Sequence, residues 1–253
     1  MFLPRIIPVL LLQDSGLVKS IKFKNHRYIG DPINAVKIFN DQEADELVFL
    51  DIDASKNNRL ISPDFVKNVG DEANMPFAVG GGIKKIDDIR ILLENGAEKV
   101  VIGKSIYEDF KLIEDAAKTY GSSTITACLD VKNNFLRKNQ IVYENGRKKF
   151  FGEIKDVAKK IEDYGAGEII VQCVERDGTY QGYNINIIKI ISQSVSIPIV
   201  ALGGARNLSD FKSAIRDGYA SAVAAGSLFV YHGPNNAILI NFPSKDEVKR
   251  AFI

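Results

Sequence analysis

Four aspartates and one lysine of this chain stand at or just beyond the ends of apolar runs, where they could move protons. These residues are Asp51, Asp53, Asp130, Asp177 and Lys19. A carboxylate at the end of a buried strand can act as a general acid or base if burial tunes its pKa. Asp130 is the sharpest case because it ends an otherwise apolar run, and Lys19 could pair with a phosphate or a carboxylate. For each of them the alternative is a solvated or loop-capping side chain.

Short segments of small residues, rich in hydrogen-bond donors, form a second group that could bind a ligand. Two of them are Gly80-Gly81-Gly82 and Gly203-Gly204, and two more are Gly103-Lys104-Ser105 and Ala225-Gly226-Ser227. Glycine lets backbone N–H groups approach an anion closely, and a helix N-terminus favours negative charge. The sequence therefore predicts two phosphate-binding cradles and a ligand with a phosphate at each end. The alternative is that these glycines only make tight turns.

The composition limits the classes of function. The chain has 253 residues, of which 45% are hydrophobic and 26% charged, and its formal net charge is +1. This balance gives no strong field for holding nucleic acid or an anionic membrane. Cys128 and Cys173 have no metal-ligand spacing, so we expect no disulfide, no metal and a reducing compartment. The apolar run Ile6–Leu12 is too short to span a bilayer, and we expect a cytoplasmic protein without a signal peptide.

Short Val/Ile/Leu-rich runs alternate with segments of helical periodicity along the whole chain. The predicted strands are Arg5–Leu12, Glu46–Asp51, Pro76–Val79, Lys99–Ile102, Thr124–Leu129, Glu168–Cys173, Ile197–Leu202 and Ala220–Ala224. Continuous apolar runs are typical of strands buried on both faces of a parallel sheet. Helix starts are predicted at Asp31-Pro32, Asn207 and Ser244. The pattern predicts one (β/α)₈ TIM barrel over residues 1–253, with a doubly wound open sheet as the alternative.

An internal repeat supports the barrel. Met75–Gly82 aligns with Ile197–Gly204 at an offset of 122 residues (198 − 76), and the register continues without a gap to Ser105 and Ser227. An offset of about half the chain predicts two related half-barrels. One segment, Asn133–Phe151, breaks the rhythm. Its Asn145-Gly146 lies between two strand-like runs, which predicts a β-hairpin inserted after the fifth strand.

Charged residues open four of the predicted strands: Arg5, Glu46, Lys99 and Glu168. In a barrel these positions converge on the floor, opposite the loops that carry function. Alternating signs around one ring predict a salt-bridged plug, and the alternative is ordinary surface charge. The two histidines, His26 and His232, belong to no visible triad, and of the two we consider only His232 as a ligand contact.

Several motifs together resemble one family. They are Arg5-Ile-Ile-Pro8, Asp45-Glu-Leu-Val-Phe-Leu-Asp51, Phe77-Ala-Val-Gly-Gly-Gly-Ile83, Arg176-Asp-Gly-Thr179 and Gly203-Gly-Ala205. With these motifs the chain resembles the HisF family, the cyclase subunit of imidazole glycerol phosphate synthase. The resemblance implies a bis-phosphorylated aminosugar ligand at the top of the barrel. It also implies ammonia arriving through the barrel from a glutaminase subunit docked below as a heterodimer, with no cofactor.

The resemblance also assigns roles to residues of this chain. It implies that Lys19, Asp51, Asp130 and Asp177 are catalytic. It makes Arg5, Glu46, Lys99 and Glu168 an ammonia gate and places Glu98 at the glutaminase interface. The implied phosphate-binding residues are Gly81, Gly82, Gly103, Lys104, Gly178, Gly203, Gly204, Ala225, Gly226 and Ser227.

The chain departs from the family pattern at two places. The family's catalytic pair is two aspartates, at the ends of strands one and five, whereas here Leu11 takes the place of the first and Asp130 remains. Loss of one member of an acid–base pair costs about 10²–10⁴-fold in rate. Gly103-Lys104 stands where the cyclases carry Asn-Thr. Ordinary cyclase activity is therefore not the expectation.

The C-terminal stretches Leu228–Pro234 and Ala237–Pro243 resemble a branch linked to acetamidino-sugar synthesis for bacterial surface glycans. In that branch the barrel works with a glutaminase and a separate sugar amidotransferase. Three hypotheses follow. The first is a glutaminase-coupled barrel that conducts ammonia toward sugar amidation. The second is a cyclase of histidine biosynthesis with altered acid–base residues, and the third is a phosphosugar isomerase or a binding scaffold.

Overall fold

The computed structural model describes residues 3–133 and 139–252. Its strands are β1 (Arg5–Gln13), β2 (Gly16–Ile21), β3 (Lys24–Gly30), β4 (Leu47–Asp51), β5 (Phe77–Gly80), β6 (Lys99–Ile102), β7 (Ile125–Asn133), β8 (Asn139–Tyr143), β9 (Lys148–Phe150), β10 (Glu168–Cys173), β11 (Ile199–Leu202), β12 (Ala222–Ala225), β13 (Tyr231–His232) and β14 (Ala237–Ile238). Its helices are α1 (Pro32–Asp41), α2 (Pro63–Glu72), α3 (Ile86–Glu94), α4 (Lys104–Glu108), α5 (Lys111–Tyr120), α6 (Ile154–Asp163), α7 (Ile185–Ser192), α8 (Leu208–Arg216), α9 (Ser227–Val230) and α10 (Lys245–Phe252). In these ranges no helix is both long enough and apolar enough to cross a bilayer.

Eight parallel strands form a closed barrel in the order β1, β4, β5, β6, β7, β10, β11, β12. The barrel closes where β12 pairs with β1, and β7 and β10 pair from Glu168 opposite Thr126 to Cys173 opposite Val131. The predicted (β/α)₈ barrel is confirmed, and the open doubly wound sheet is excluded because an open sheet has two unpaired edges.

The apolar residues of the barrel pack in two layers. An inner cluster fills the barrel with residues such as Ile7, Val48, Ala78, Ile170 and Ala224. A larger cluster lies between the strands and the surrounding helices. Because side chains alternate along a strand, a barrel strand supplies both layers and reads as one continuous apolar run.

The predicted helix starts are confirmed by their caps. The Asp31 carboxylate accepts the N–H of Asn34, and the Asn207 side chain accepts the N–H groups of Ser209 and Asp210. The Ser244 hydroxyl accepts the N–H of Glu247, whose carboxylate accepts the Ser244 N–H in return. Such caps satisfy backbone N–H groups that the first turn of a helix leaves free.

Five predicted strand starts are too early, three by one residue and two by two residues. Strand β11 begins at Ile199, because the Ile197 N–H donates to the Glu162 carboxylate. Strand β12 begins at Ala222, because the Ala220 N–H donates to the Ala214 carbonyl and still belongs to the turn after α8. The backbone bonds of both residues are therefore taken up outside the barrel sheet.

The half-barrel register is visible in the elements themselves. Helix α3 spans Ile86–Glu94, and α8 spans Leu208–Arg216, which is the same helix 122 residues later (208 − 86). Asp88 and Asp210 occupy equivalent positions, and each carboxylate accepts N–H groups just before its helix. These two equivalent helices thus share their length and the bonds that start them.

Antiparallel ribbons extend the barrel at the carboxyl ends of its strands. Strands β2 and β3 form a ribbon after β1, which the sequence pattern does not predict because β3 is mostly exposed. Strand β8 pairs with the end of β7 and with β9, across the turn that contains Asn145 and Gly146. The segment 134–138 of the predicted inserted hairpin lies outside the described residues.

Glycine pairs make the turns that follow β5 and β11. Gly81, Gly82, Gly203 and Gly204 all have positive φ, between 73° and 135°. A Cβ added to Gly82 would lie 1.8 Å from the Arg59 carbonyl oxygen, and one added to Gly204 would lie 2.4 Å from the Gly182 carbonyl oxygen. These glycines are therefore required by the backbone itself, whatever they bind.

We expect Gly82→Ala to destabilise the fold strongly. Its φ of +73° alone costs an alanine about 1–3 kcal/mol, and the clash with Arg59 adds to this. Gly103→Ala is the matched control, because an added Cβ there meets nothing within 4 Å. Urea unfolding of the two variants measures the difference, and equal midpoints would contradict the assignment of Gly82 to a backbone role.

Candidate active site

A cavity of about 190 Å³ opens at the carboxyl ends of the barrel strands. Its wall includes all four residues of the predicted catalytic set, Lys19, Asp51, Asp130 and Asp177. Parallel strands explain this convergence, because their carboxyl ends all meet at one end of a barrel. The cavity wall is mixed, with apolar side chains such as Leu11 and Leu50 below the polar groups.

Asp130 is carried by β7 and points into the barrel. The alternation of side chains along the strand places Thr126, Cys128 and Asp130 on the inner face. The Cys128 thiol lies 3.8 Å from an Asp130 carboxylate oxygen. Burial and, to a lesser degree, the nearby Asp177 carboxylate raise the pKa of Asp130 to about 7, against the opposing effect of the thiol contact. An acid with this pKa can both accept and donate a proton near neutral pH.

Lys19 lies on β2, so the antiparallel ribbon carries its side chain back over the barrel. The ammonium group is buried and donates to the carbonyl of Val9. Burial lowers the pKa of Lys19 to about 8, although the charge of Asp177 opposes the decrease. Within the described residues its directly bonded partner is therefore a backbone carbonyl and not a carboxylate, and the predicted contact with a phosphate stays a prediction.

Asp177 lies opposite this ribbon, in the first part of the loop after β10. Its carboxylate accepts a hydrogen bond of 2.9 Å from the Ser20 hydroxyl and one of 3.4 Å from the Gln172 amide. Burial raises the pKa of Asp177, while these bonds and Lys19 oppose the rise. The buried Lys19 and the partly buried Asp177 thus form a pair of opposite charges without direct contact.

The Asp51 carboxylate is bonded to residues of the loop that follows it. The Arg59 guanidinium lies 2.5 Å from one carboxylate oxygen, and the other oxygen accepts the N–H groups of Asp53 and Ala54. Asp53, the remaining candidate, accepts a bond from the Gln13 amide. For both aspartates the loop-capping alternative describes their contacts, although Asp51 also lines the cavity.

The predicted phosphate-binding residues lie together in two groups. Gly81, Gly82, Gly103 and Lys104 line the main cavity. A smaller adjoining pocket is lined by Gly178, Gly203, Gly204, Ala225, Gly226 and Ser227. The two pockets share Asp177, Leu202, Gly226 and Ser227, so one elongated ligand could reach both. The turn explanation for the glycine pairs also holds, as their backbone angles show.

The four charged residues at the strand starts form a ring of ion pairs. Arg5 lies 2.5 Å from Glu46 and also contacts Glu168, while Lys99 lies 3.1 Å from Glu46 and 3.3 Å from Glu168. Both glutamates are buried. Glu46 lies one residue before β4 and does not open it. At the same end of the barrel, the exposed Glu98 accepts the Phe77 N–H at 2.8 Å.

Several cavity residues are missing from the candidates chosen by sequence. Tyr107, Tyr143, Glu144, Gln172 and His26 all line the cavity, whereas His232, the histidine we considered, lies exposed on β13. Gln172 could have been found as the one polar residue inside an apolar strand. Tyr143, Glu144 and His26 could not, because ribbons of irregular length bring them to the cavity.

The sequence matches the family described as histidine biosynthesis protein over residues 5–234. A protein of Leptospira borgpetersenii, provisionally named imidazole glycerol phosphate synthase subunit HisF, is 44% identical over the full length of both chains. A Vibrio vulnificus protein with the provisional name hisF3 is 41% identical over 98% of this chain and 95% of its own. The imidazole glycerol phosphate synthase subunit HisF of Alkaliphilus metalliredigens is 40% identical over 92% of each.

The fold, the motifs and these relatives agree. The class is a closed (β/α)₈ barrel with its polar cavity at the carboxyl ends of the strands. The chain belongs to the HisF family of histidine biosynthesis proteins.

We expect the Asp130 carboxyl group to titrate near pH 7 in the folded protein. Its pKa rises from 3.8 to about 7 on folding, so between these values the folded state holds a proton that the unfolded chain has released. The free energy of unfolding should therefore fall as the pH rises through this window. Asp130→Asn should reduce the slope of the unfolding free energy against pH, by an amount that corresponds to at most about one bound proton. Carboxyl ¹³C NMR measures the pKa directly.

Asp177→Asn is the companion variant for this titration. It removes a like charge, so it should lower the pKa of Asp130. An Asp130 carboxyl group that titrates near 4 in the folded protein would show that burial does not govern it.

Proposed function

We propose that this barrel receives ammonia from a glutaminase and passes it to the cavity for acetamidino-sugar synthesis, without efficient imidazole ring formation of its own. One observation carries the proposal. Leu11, in register with Leu50 on β4, lines the cavity that also contains Asp130. At the two positions where the family pattern has a pair of carboxylates, the cavity presents the Asp130 carboxylate and the Leu11 alkyl side chain, and leucine transfers no proton.

The ring at the strand starts supports ammonia delivery. Burying Glu46 and Glu168 costs several kcal/mol for each ion unless they are paired, so the four charges stabilise one another as a set. Each of the two cations contacts both carboxylates, so the four side chains are linked across the floor. Such a ring can part by the movement of one long side chain. We propose that it is the gate through which ammonia enters.

The interior between the ring and the cavity suits a small neutral molecule. It is lined by apolar side chains, among them the small residues Ala78, Ala222 and Ala224. The hydroxyl oxygen of Thr126 is buried there and has no hydrogen-bond partner within the described residues. Neutral ammonia can move through such a column at low cost, whereas the ammonium ion would lose its hydration.

The proposed ligand is a phosphorylated small molecule that lies across the two pockets. The glycine-rich turns offer backbone N–H groups, and Lys19 brings a positive charge close to Gly226. We propose that a separate sugar amidotransferase uses the ammonia delivered to this end of the barrel. This partner is taken from the resemblance of the C-terminal stretches to the acetamidino-sugar branch.

A genuine cyclase of histidine biosynthesis is the second candidate function. Its support is the environment of Asp130, whose pKa near 7 suits a general acid or base, and the names of the relatives. It would be a lyase that acts on a bis-phosphorylated aminosugar ribonucleotide. The two candidates differ in turnover, which a single substitution can test.

We expect the purified chain to show negligible ammonia-dependent cyclase turnover, because a missing acid–base partner costs about 10²–10⁴-fold. Leu11→Asp should raise the residual rate by at least about tenfold, since it supplies the second carboxylate across from Asp130. Leu50→Asp is the matched control, because it places a carboxylate one strand further round the same cavity. A wild-type turnover within about tenfold of ~10 s⁻¹ would favour the cyclase instead.

We also expect a glutaminase encoded next to this gene to form a heterodimer with the chain at the ring face. Glu98 is exposed at this face, so Glu98→Lys should weaken the complex by about tenfold or more by placing a repulsive charge there. Asp64→Lys is the control, because Asp64 is exposed at the start of α2, at the opposite end of the barrel. Size-exclusion chromatography of the mixed proteins measures complex formation.

Circular dichroism of both variants checks that the fold is retained. Elution of the wild-type proteins as two separate species at micromolar concentration would remove the main support for ammonia delivery. Equal weakening by both substitutions would place the glutaminase elsewhere on the barrel.

A further inference from the structure

The hairpin formed by β8 and β9 closes one side of the main cavity. Its turn residues Glu144 and Asn145 line the cavity wall, next to Lys104 of α4. The Lys104 ammonium lies 3.0 Å from the Glu144 carboxylate and 3.4 Å from that of Glu108. Glu144 also accepts a bond of 2.9 Å from Lys148. The lysine of the first cradle is therefore already paired with carboxylates.

The hydroxyl group beside this lysine is also engaged. The Ser105 hydroxyl donates to the carbonyl of Ile83, on the loop after Gly82. At this cradle the Lys104 ammonium and the Ser105 hydroxyl, which could bind a phosphate dianion, therefore already have partners. The dianion would also lie next to the Glu144 carboxylate. Like charges in contact repel, most strongly where water is excluded. The first cradle is poorly suited to a phosphate.

The second pocket has a different charge environment. Lys19 lies beside it, and a Cβ added to Gly226 would fall 2.5 Å from the Lys19 ammonium nitrogen. Within the described residues this ammonium makes no ion pair and donates to the neutral carbonyl of Val9, so its charge can act on a ligand as well as on Asp177. The carboxylate that lines this pocket, Asp177, is held by Ser20 and Gln172. A single phosphate is therefore best placed here.

Aromatic rings complete the hairpin side of the cavity. The rings of Tyr107 and Tyr143 lie 5.2 Å apart at an angle of 31°, and both line the cavity. The Tyr107 hydroxyl oxygen is buried and has no hydrogen-bond partner in the part of the chain that the structure describes. Buried polar groups are almost always partnered, so this hydroxyl is suited to a group on a ligand.

Aromatic faces combined with a carboxylate and an amide suit a polyhydroxylated ring. The rings can cover the apolar face of a sugar, while Glu144 accepts its hydroxyl groups and Asn145 both donates and accepts. We propose that the hairpin side of the cavity is a subsite for an uncharged sugar-like group, and that Glu144 excludes a phosphate from it. The ligand then carries its phosphate only at the second pocket.

This inference rests on the proposed function for the existence of a phosphorylated ligand, and it names the ligand class as a sugar monophosphate. The closing experiment compares glucose 1-phosphate with glucose 1,6-bisphosphate by calorimetry on the full chain. We expect the wild type to bind the monophosphate at least about tenfold more tightly, because the second phosphate would meet Glu144. Glu144→Gln should remove most of this preference, since it removes the charge and keeps the shape.

Two further variants make the test specific. Glu108→Gln is the matched control, because Glu108 also pairs with Lys104 but lies outside the cavity wall, so the preference should persist. Tyr107→Phe should weaken glucose 1-phosphate by about threefold or more and leave inorganic phosphate unchanged, because it removes one hydroxyl group facing the sugar.

The outcomes separate the inference from the proposed function. Equal affinity of the wild type for both sugar phosphates, unchanged in Glu144→Gln, would overturn the role of Glu144 and leave a phosphorylated ligand in place. Failure of both compounds and of inorganic phosphate to bind would overturn the ligand itself, and this inference with it. Amide NMR shifts at Gly204 and Gly226, without shifts at Gly82 and Gly103, are the expected response to inorganic phosphate.

Discussion

The pairing of β7 with β10 is the constraint on which the rest of the molecule depends. Six consecutive residue pairs along these strands, together with the pairing of β12 with β1, join eight parallel strands into a ring without an edge. Because all strands run in one direction, every strand start lies at one end of the barrel and every strand end at the other. Arg5, Lys99 and Glu168 therefore meet on the floor, while Asp130 and Asp177 meet around the cavity, although each group is scattered along the sequence.

Closure also fixes the electrostatics of the cavity. The barrel interior excludes water, so a charge that lies in it must be paired or must shift its pKa. In the floor ring the charges are paired, because each carboxylate contacts two cations. Asp130 and Lys19 instead have shifted pKa values, of about 7 and about 8, so both groups titrate close to neutral pH. The same exclusion of water thus favours ion pairing in the floor and shifts the pKa values of Asp130 and Lys19 in the cavity.

Within this frame the chain keeps the floor and alters the wall of the cavity. Leu11 replaces a carboxylate expected from the family pattern, Asp51 is held by Arg59, and Lys104 is held by Glu144. Each of these features reduces the charge that is free to act on a ligand, and within the described residues Lys19, Asp130 and Asp177 of the cavity make no direct ion pair. These features are the basis on which we propose that the cavity holds a sugar and receives ammonia instead of transferring protons between two carboxylates.

The strands and the helix starts can be predicted from the sequence, because they depend on residues that are close together along the chain. Continuous apolar runs, helix caps such as Asp31 and Asn207, and the repeat at 122 residues were sufficient for the eight strands and the barrel. The tertiary structure alone decided which contacts the polar groups make. Nothing local to Lys104 indicates that it meets Glu144, because Glu144 lies 40 positions later (144 − 104), in the turn between β8 and β9. The ribbon that brings Lys19 to Val9 is likewise polar and exposed on its outer strand, so no hydrophobic periodicity marks it. The spacing of apolar residues along the chain predicts which of them are buried. The pairing of charges depends instead on which loops, distant in sequence, lie at the same end of the barrel.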